Sequence, residues 1–401
     1  MLGETCKLLE SGEGQTSKAR EHPLPPVAVP PAVPRWTPEL ACDKMKQVLK
    51  RNLLTLRGVL FRSRVKPSAA PPALQQCDRI LVLRTDRLGD AVLTFPFVQS
   101  LKSVVPRAEV IYVVQESWTS LFRDQKNVDR VIGIPKSFQQ RARILADAHP
   151  DLIIDPRTDS IMETALLCEK SNAKWCIGFT GYGREQYFSS YRKPSDDQRH
   201  FVDQAFDLLE LWPDLRPEPV IPPFLEVPAT SRSWWAGRRS EHPTLSNGYI
   251  CIHPGAFYET QRWPGDHFLE LSERIREKLK RSVIWLGGED VRLPVSRFEN
   301  DPGTLCFSNL TIDQLAAVLG DGTVFVGNNS GPLHLACALG IATVSVIGPT
   351  VPHRWWPLGA NHRVARLDVA CSPCNLGWCS HHTCLKSISV DQMFELVCKQ
   401  L

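Results

Sequence analysis

Val326-Gly327-Asn328-Asn329-Ser330-Gly331-Pro332-Leu333-His334, continuing to Pro352 as VGNNSGPLHLACALGIATVSVIGPTVP, is the stretch on which the fold is read. Thr323 to Val326 is a short apolar run that reads as a buried strand. Small and polar residues then crowd together before a helix predicted over 331–339. Ser330 suits its N-cap, Pro332 its first turn and Gly340 its C-cap. A second apolar run follows at Thr343 to Ile347. Strand, loop, helix and strand in that order imply a parallel sheet with crossover helices. The free backbone N–H groups at the helix start, with its dipole, make an anion site suited to a diphosphate. An ordinary capped helix is the plainer reading, and the crowding of Gly, Asn, Asn, Ser and Gly favours the phosphate.

The same alternation extends in both directions. Upstream lie Tyr249 to His253 and Val283 to Leu286, with helices predicted over 266–280 and 311–319. Earlier still, Ile80-Leu81-Val82-Leu83, Val110 to Val114 and Leu152 to Ile154 read as strands with helical stretches between them. The chain is therefore α/β, with two tandem domains at 73–235 and 236–401. The connection is placed in the polar and aromatic segment from Ser231 to Asn247. Open parallel sheets bind ligands beyond the C-terminal ends of their strands, so the residues that follow each strand carry the chemistry.

After the first strand comes Arg84-Thr85-Asp86-Arg87-Leu88-Gly89-Asp90. Asp90 reads as a helix N-cap or as a carboxylate facing the cleft, where it could accept a proton. After Tyr249 to His253 comes Pro254-Gly255-Ala256, and Arg262 shortly after it. Arg262 can grip a phosphate, or be a surface arginine before a helix. After Val283 to Leu286, Gly287-Gly288-Glu289 fits a nucleotide edge with the acid on ribose hydroxyls, and fits a plain turn equally well. The phosphate loop of P-loop NTPases, the Gly-x-Gly-x-x-Gly of dinucleotide oxidoreductases and the Gly-x-Ser-x-Gly elbow are all missing.

Three blocks resemble glycosyltransferase family 9, the ADP-heptose:lipopolysaccharide heptosyltransferases: RTDRLGDAVLTFP from Arg84, PGAFYETQRWP from Pro254, and the Val326–Pro352 run. Cys371 to Cys384, CSPCNLGWCSHHTC, also resembles a segment of many members. The resemblance implies a GT-B fold, two Rossmann-like domains facing each other across a cleft. It implies inverting transfer of a heptose from ADP-heptose to the lipopolysaccharide inner core, with Asp90 as catalytic base; the chain has no Asp-x-Asp pattern, so no metal is expected to be needed for catalysis. Arg262, Gly287, Gly288, Glu289, Asn329, Ser330, Gly331, Pro332 and His334 fall at donor-binding positions, and Arg84 and Arg87 on the acceptor side. The family usually carries Asp where this chain has Asn329, which removes a negative charge. A protein or other glycan acceptor on the same fold is one alternative, and a non-catalytic nucleotide-sugar or membrane-surface binding protein is another.

The flanks add less. Of 401 residues, 43% are hydrophobic and 22% charged, enough for two cores, and a net charge of +4 implies no nucleic-acid partner. Residues 1–43 are proline-rich and expected to be disordered. In 44–72, eight basic residues and no acid lie between Lys44 and Lys66, with Met45, Leu49, Leu53, Leu56 and Leu60 at helical spacing. That segment reads either as a helix packed on the next domain or as an amphipathic helix on an anionic membrane surface. With no secretory signal and no run able to span a bilayer, the expected location is the cytoplasm, with peripheral contact at the inner membrane. Cys371, Cys374, Cys379 and Cys384 form C-x2-C-x4-C-x4-C, a candidate structural zinc or iron site, with free thiols or one disulfide as the alternatives.

Overall fold

The computed structural model describes residues 70–401 except 160, 182, 196–198, 216–221, 223, 289, 290 and 292. The expectations for 1–43 and for the basic segment up to residue 69 lie outside the described residues. The first half builds β1 (Arg79–Leu83), β2 (Glu109–Gln115), β3 (Arg130–Ile134), β4 (Leu152–Asp155), β5 (Trp175–Phe179) and β6 (Ser190–Arg192). They form one sheet in the order β3-β2-β1-β4-β5-β6. The second half builds β7 (Tyr249–His253), β8 (Ser282–Leu286), β9 (Thr304–Phe307), β10 (Val324–Asn328), β11 (Ala342–Val346) and β12 (His362–Ala365). Their order is β12-β11-β10-β7-β8-β9, so both sheets wind alike from the centre to one edge and then to the other. Every pairing is parallel. The winding reverses between β1 and β4 and between β7 and β10, and at such points strand ends open a ligand crevice.

Burial explains the strand composition. Ile80, Leu81, Val82 and Leu83 are at most 1% exposed, because helices cover both faces of the sheet. The Gly265–Leu279 helix packs Phe268, Leu271 and Ile275 on the second sheet and turns Glu270 and Glu277 to solvent. Among the described residues no helix is long and apolar enough to cross a membrane.

The domain boundary differs from the expectation. A division between residues 235 and 236 would cut the Ala229–Ser240 helix, which belongs wholly to the second domain. Its Trp235 is 2% exposed, stands edge-on to Tyr249 and Phe307, and donates an indole N–H to Asp321 at 2.9 Å. The aromatic residues that resembled a linker are the apolar face of this helix.

The two domains meet where two helices begin, at Leu88–Val104 and Gly331–Ala338. A Cβ on Gly89 would lie 3.1 Å from His334 Cδ2 and 3.2 Å from Gly331 Cα. Glycine at both positions lets the helix starts approach closely enough to place the two crevices mouth to mouth.

Candidate active site

Charge gathers in the crevice beyond β1 and β4. Asp90 is the third residue of the Leu88–Val104 helix, and the N-cap position belongs to Arg87, so the capping reading of Asp90 does not hold. The Asp90 carboxyl is 8% exposed, with Arg84 Nη2 3.6 Å from its Oδ2. Arg84 Nε lies 3.1 Å from Asp86 Oδ1, and Arg157 Nη2 lies 3.8 Å from Asp86 Oδ2. Burial pushes the Asp90 carboxyl up to about 7; Arg84 opposes this, while the charge and hydrogen bond of Asp86 add to it. Burial also works against the charge of Asp86, but Arg84 and Arg157 outweigh it and hold that carboxyl below the usual range. Asp86 was not singled out by sequence, because a second acid in a turn carries no signal until its neighbours are known.

The opposing crevice, beyond β7 and β10, is built from neutral groups. Asn328 is fully buried. It accepts the Trp263 backbone N–H at 2.8 Å and donates to the Pro254 and Gly255 carbonyls at 2.8 and 3.2 Å. It therefore ties the loop after β7 to the end of β10. Asn329 donates to Thr350 Oγ1 at 3.2 Å. Ser330 occupies the N-cap position in extended conformation, yet its hydroxyl makes no capping bond; it is buried without a hydrogen-bond partner among the described residues. His334 Nδ1 is likewise buried and unpartnered. Burial first, then His200 and His362, push His334 down to about 3, so the ring is neutral. Unsatisfied buried polar atoms are costly, and here both belong to residues that line a cavity.

The two crevices share a cavity of about 510 Å³, within the range of small-molecule sites. Asp86, Arg87 and Asp90 line one side and Asn329, Ser330, Gly331, Pro332 and His334 the other. Arg87 bridges the mouth: its guanidinium stands 4.1 Å from the Phe257 ring centre and donates to Tyr258 Oη at 3.3 Å. Arg84 stands behind this wall, with Phe201 4.7 Å from its guanidinium. Arg262 is not among the lining residues; its Nε donates to the Ala256 carbonyl at 2.9 Å. Gly287 and Gly288 are not among the lining residues either, Gly287 being in close packing under Leu293, and Glu289 lies outside the described residues.

The four-cysteine segment contributes a wall rather than a preassembled metal centre. Asn375 and Leu376 line the cavity, and the Leu376 carbonyl accepts from Thr260 Oγ1 at 2.7 Å. Among the described residues no three His, Cys, Asp or Glu side chains gather as a metal site. Cys384 is turned into the core beside Leu385 and Ile388, while Cys371 and Cys374 are exposed. Burial, then the neighbouring Cys374, Cys371 and Cys379, push the Cys384 thiol up to about 11.

Known proteins share this architecture. Lipooligosaccharide heptosyltransferase 2 of Campylobacter jejuni is 21% identical over 329 residues, which cover 78% of this chain and 96% of that protein. The crystal structure of a family 9 glycosyltransferase from Veillonella parvula matches with a TM-score of 0.70 and 20% identity, over 83% of this chain and 99% of that one. The E. coli ADP-heptose lipopolysaccharide heptosyltransferase II structure matches with a TM-score of 0.66 and 19% identity, over 80% and 98%. The model of glycosyltransferase family 9 (heptosyltransferase) matches residues 142–384, more than half of the chain, including the whole crevice beyond β7 and β10. The sheets, the cavity between them and this match lead to one conclusion: the chain belongs to glycosyltransferase family 9 and is a glycosyltransferase.

Proposed function

We propose that the chain transfers a heptose, with inversion, from ADP-heptose to a hydroxyl of the lipopolysaccharide inner core. The observation that carries this reading is the opposition, across one cavity, of a carboxyl poised near neutrality and a helix start with an unsatisfied Ser330 hydroxyl. The donor diphosphate rests on the N–H groups and hydroxyl at Ser330–Pro332, where Pro332 itself contributes no N–H. The acceptor hydroxyl enters beside Asp90. Asp90 takes the hydroxyl proton as the acceptor oxygen bonds to the anomeric carbon, and the bond from that carbon to the phosphate oxygen breaks with its electron pair leaving on ADP. Attack opposite the leaving group inverts the anomeric centre. The Gly331–Ala338 helix dipole meets the negative charge that develops on the diphosphate. That stabilisation, together with a carboxylate base, supports a reaction without a catalytic metal.

The choice of ADP-heptose rests on the relatives. Glu289 remains a candidate for the ribose and Arg262 for the phosphate, the latter only after a movement that releases it from Ala256. The basic stretch from Lys44 to Lys66 supports peripheral contact with anionic headgroups on the cytoplasmic face of the inner membrane, beside a lipid-linked acceptor. The test is a donor series of ADP-, GDP- and UDP-sugars against heptose-deficient lipopolysaccharide. Transfer and ADP release with ADP-heptose are the expected result; transfer from a different nucleotide sugar, or none from any, overturns the assignment.

A further inference from the structure

Two buried carboxyls at the end of β1, Asp86 and Asp90, converge on the same guanidinium, that of Arg84. We propose that Asp86 is the positioning residue for Asp90: a fixed anion, held by Arg84 and Arg157, that shares one proton with the Asp90 carboxyl and sets its basicity. The inference rests on the reading of Asp90 as the base and assigns a role that reading leaves open.

The geometry is a nested series of buried charges. Asp155, at the end of β4, is fully buried against Arg184 and accepts the Arg157 backbone N–H at 3.2 Å. Arg184 Nη1 donates to the Arg157 carbonyl at 2.6 Å, so the backbone of Arg157 is fixed on both sides. The Arg157 side chain is 4% exposed; it pairs with Asp159 at 2.6 Å and reaches Asp86 at 3.8 Å. Arg84 is 3% exposed and spans Asp86 and Asp90, with Phe201 4.7 Å from its guanidinium. The two carboxyls crowd one buried cation, Arg84 lying 3.1 Å from Asp86 and 3.6 Å from Asp90, and two acids so placed favour a proton on one of them. Two arginines hold Asp86 and one reaches Asp90, so the proton resides on Asp90, whose O–H donates to Asp86. Arg87 also acts on Asp90 from the same turn. Tyr112 lies behind from β2, kept neutral by burial, and donates its hydroxyl to the Ala91 carbonyl. His334 faces the pair from the second domain as a neutral ring, and His200 precedes Phe201. Like-charge pairs of this kind raise one carboxyl and lower the other.

The experiment is the pH profile of kcat/KM, with ADP-heptose and heptose-deficient lipopolysaccharide, for the unaltered protein, Asp86→Asn and Asp86→Glu. The unaltered protein should lose activity as pH falls through neutrality. Asp86→Asn removes the neighbouring charge, and its acid limb should move down by about one pH unit or more, with a lower plateau at alkaline pH from the weaker base. Asp86→Glu keeps the charge, and its limb should stay close to the original. A folded Asp86→Asn protein with an unmoved limb overturns the proposal. Asp90→Asn separates the two ideas, because normal turnover in that variant sinks the base itself, whereas an inactive Asp90→Asn beside an unmoved Asp86→Asn limb sinks only the pairing. Should Asp86→Asn fail to fold, carboxyl-labelled aspartate NMR decides. The Asp86 resonance should move as Asp90 titrates near neutrality, and that inflection should vanish in Asp90→Asn. A flat Asp86 resonance in the unaltered protein overturns the pairing.

Discussion

The two sheets wind in the same order, yet their crevices are electrostatic opposites. The first domain ends its central strands in Arg84, Asp86, Asp90 and Arg157, a compact set of buried charges. The second ends its own in Asn328, Asn329 and Ser330, with a neutral His334 behind them. The topology fixes where a ligand sits, and the residues after each strand decide what the crevice does with it. One side keeps a group able to gain and lose a proton. The other offers polar donors that do not titrate, which suits an anion that must be held throughout the reaction.

The largest effect should come from making the two sides alike. Asp90→Asn should lower kcat by about a thousandfold, in the range a general base supplies, while ADP binding measured by calorimetry changes little. A variant that turns over normally breaks the comparison. The same variant sharpens it through stability. The folded Asp90 carboxyl sits near 7, above its ordinary value of 3.8, so the native state holds a proton that the unfolded chain has released between those pH values. Stability therefore falls as pH rises from about 4 to 7. Asp90→Asn should melt several degrees higher than the unaltered protein at pH 8, and the gain should shrink towards pH 4.

Asn328→Ala tests the neutral side. It leaves the Trp263 N–H and two carbonyls without their amide, and should cost about 2–3 kcal/mol in urea unfolding, with weaker ADP binding. Gly89→Ala tests the seam. Its methyl would press on Gly331 and His334, shifting the two crevices by tenths of an ångström. Transfer should fall about tenfold while ADP binding on the second domain alone is kept. Smallest is Asn329→Asp, which adds a charge beside the diphosphate site. ADP affinity should change by less than about tenfold, with a new pH dependence that the present amide cannot give.

Much of this arrangement was legible in the sequence, and where it was not, the cause is physical. The central strands β1, β2, β4, β7, β8, β10 and β11 are apolar because both faces are covered, and they were found. The strands β3, β6, β9 and β12 are the sheet edges, and polar residues such as Arg130, Tyr191, Thr304 and Arg363 dilute their apolar character. β5, Trp175–Phe179, is as apolar as the central strands, and its sequence does not set it apart from the helical stretch before it. The helix after β10 was read in full. Gly340, at φ 79°, follows its last turn as expected, but the Ser330 hydroxyl is free for a ligand where a capping bond was anticipated. Within the site, the strand ends pointed to Asp90 and to the Asn328 to Gly331 loop, and the family resemblance supplied the roles of Asp90 and His334. Asp86, Arg157, Phe257 and Asn375 could not be placed, since each matters through contacts between segments far apart in the chain.

The amide of Asn328 also bears on how the molecule is made. Its bonds reach back 65 residues to Trp263 and 73 and 74 residues to Gly255 and Pro254. Contacts so distant in sequence form late, after the intervening chain has found its place. While the protein is being synthesised, the loop after β7 must wait, unfinished, until β10 has emerged, so the nascent second domain cannot acquire its ligand site strand by strand.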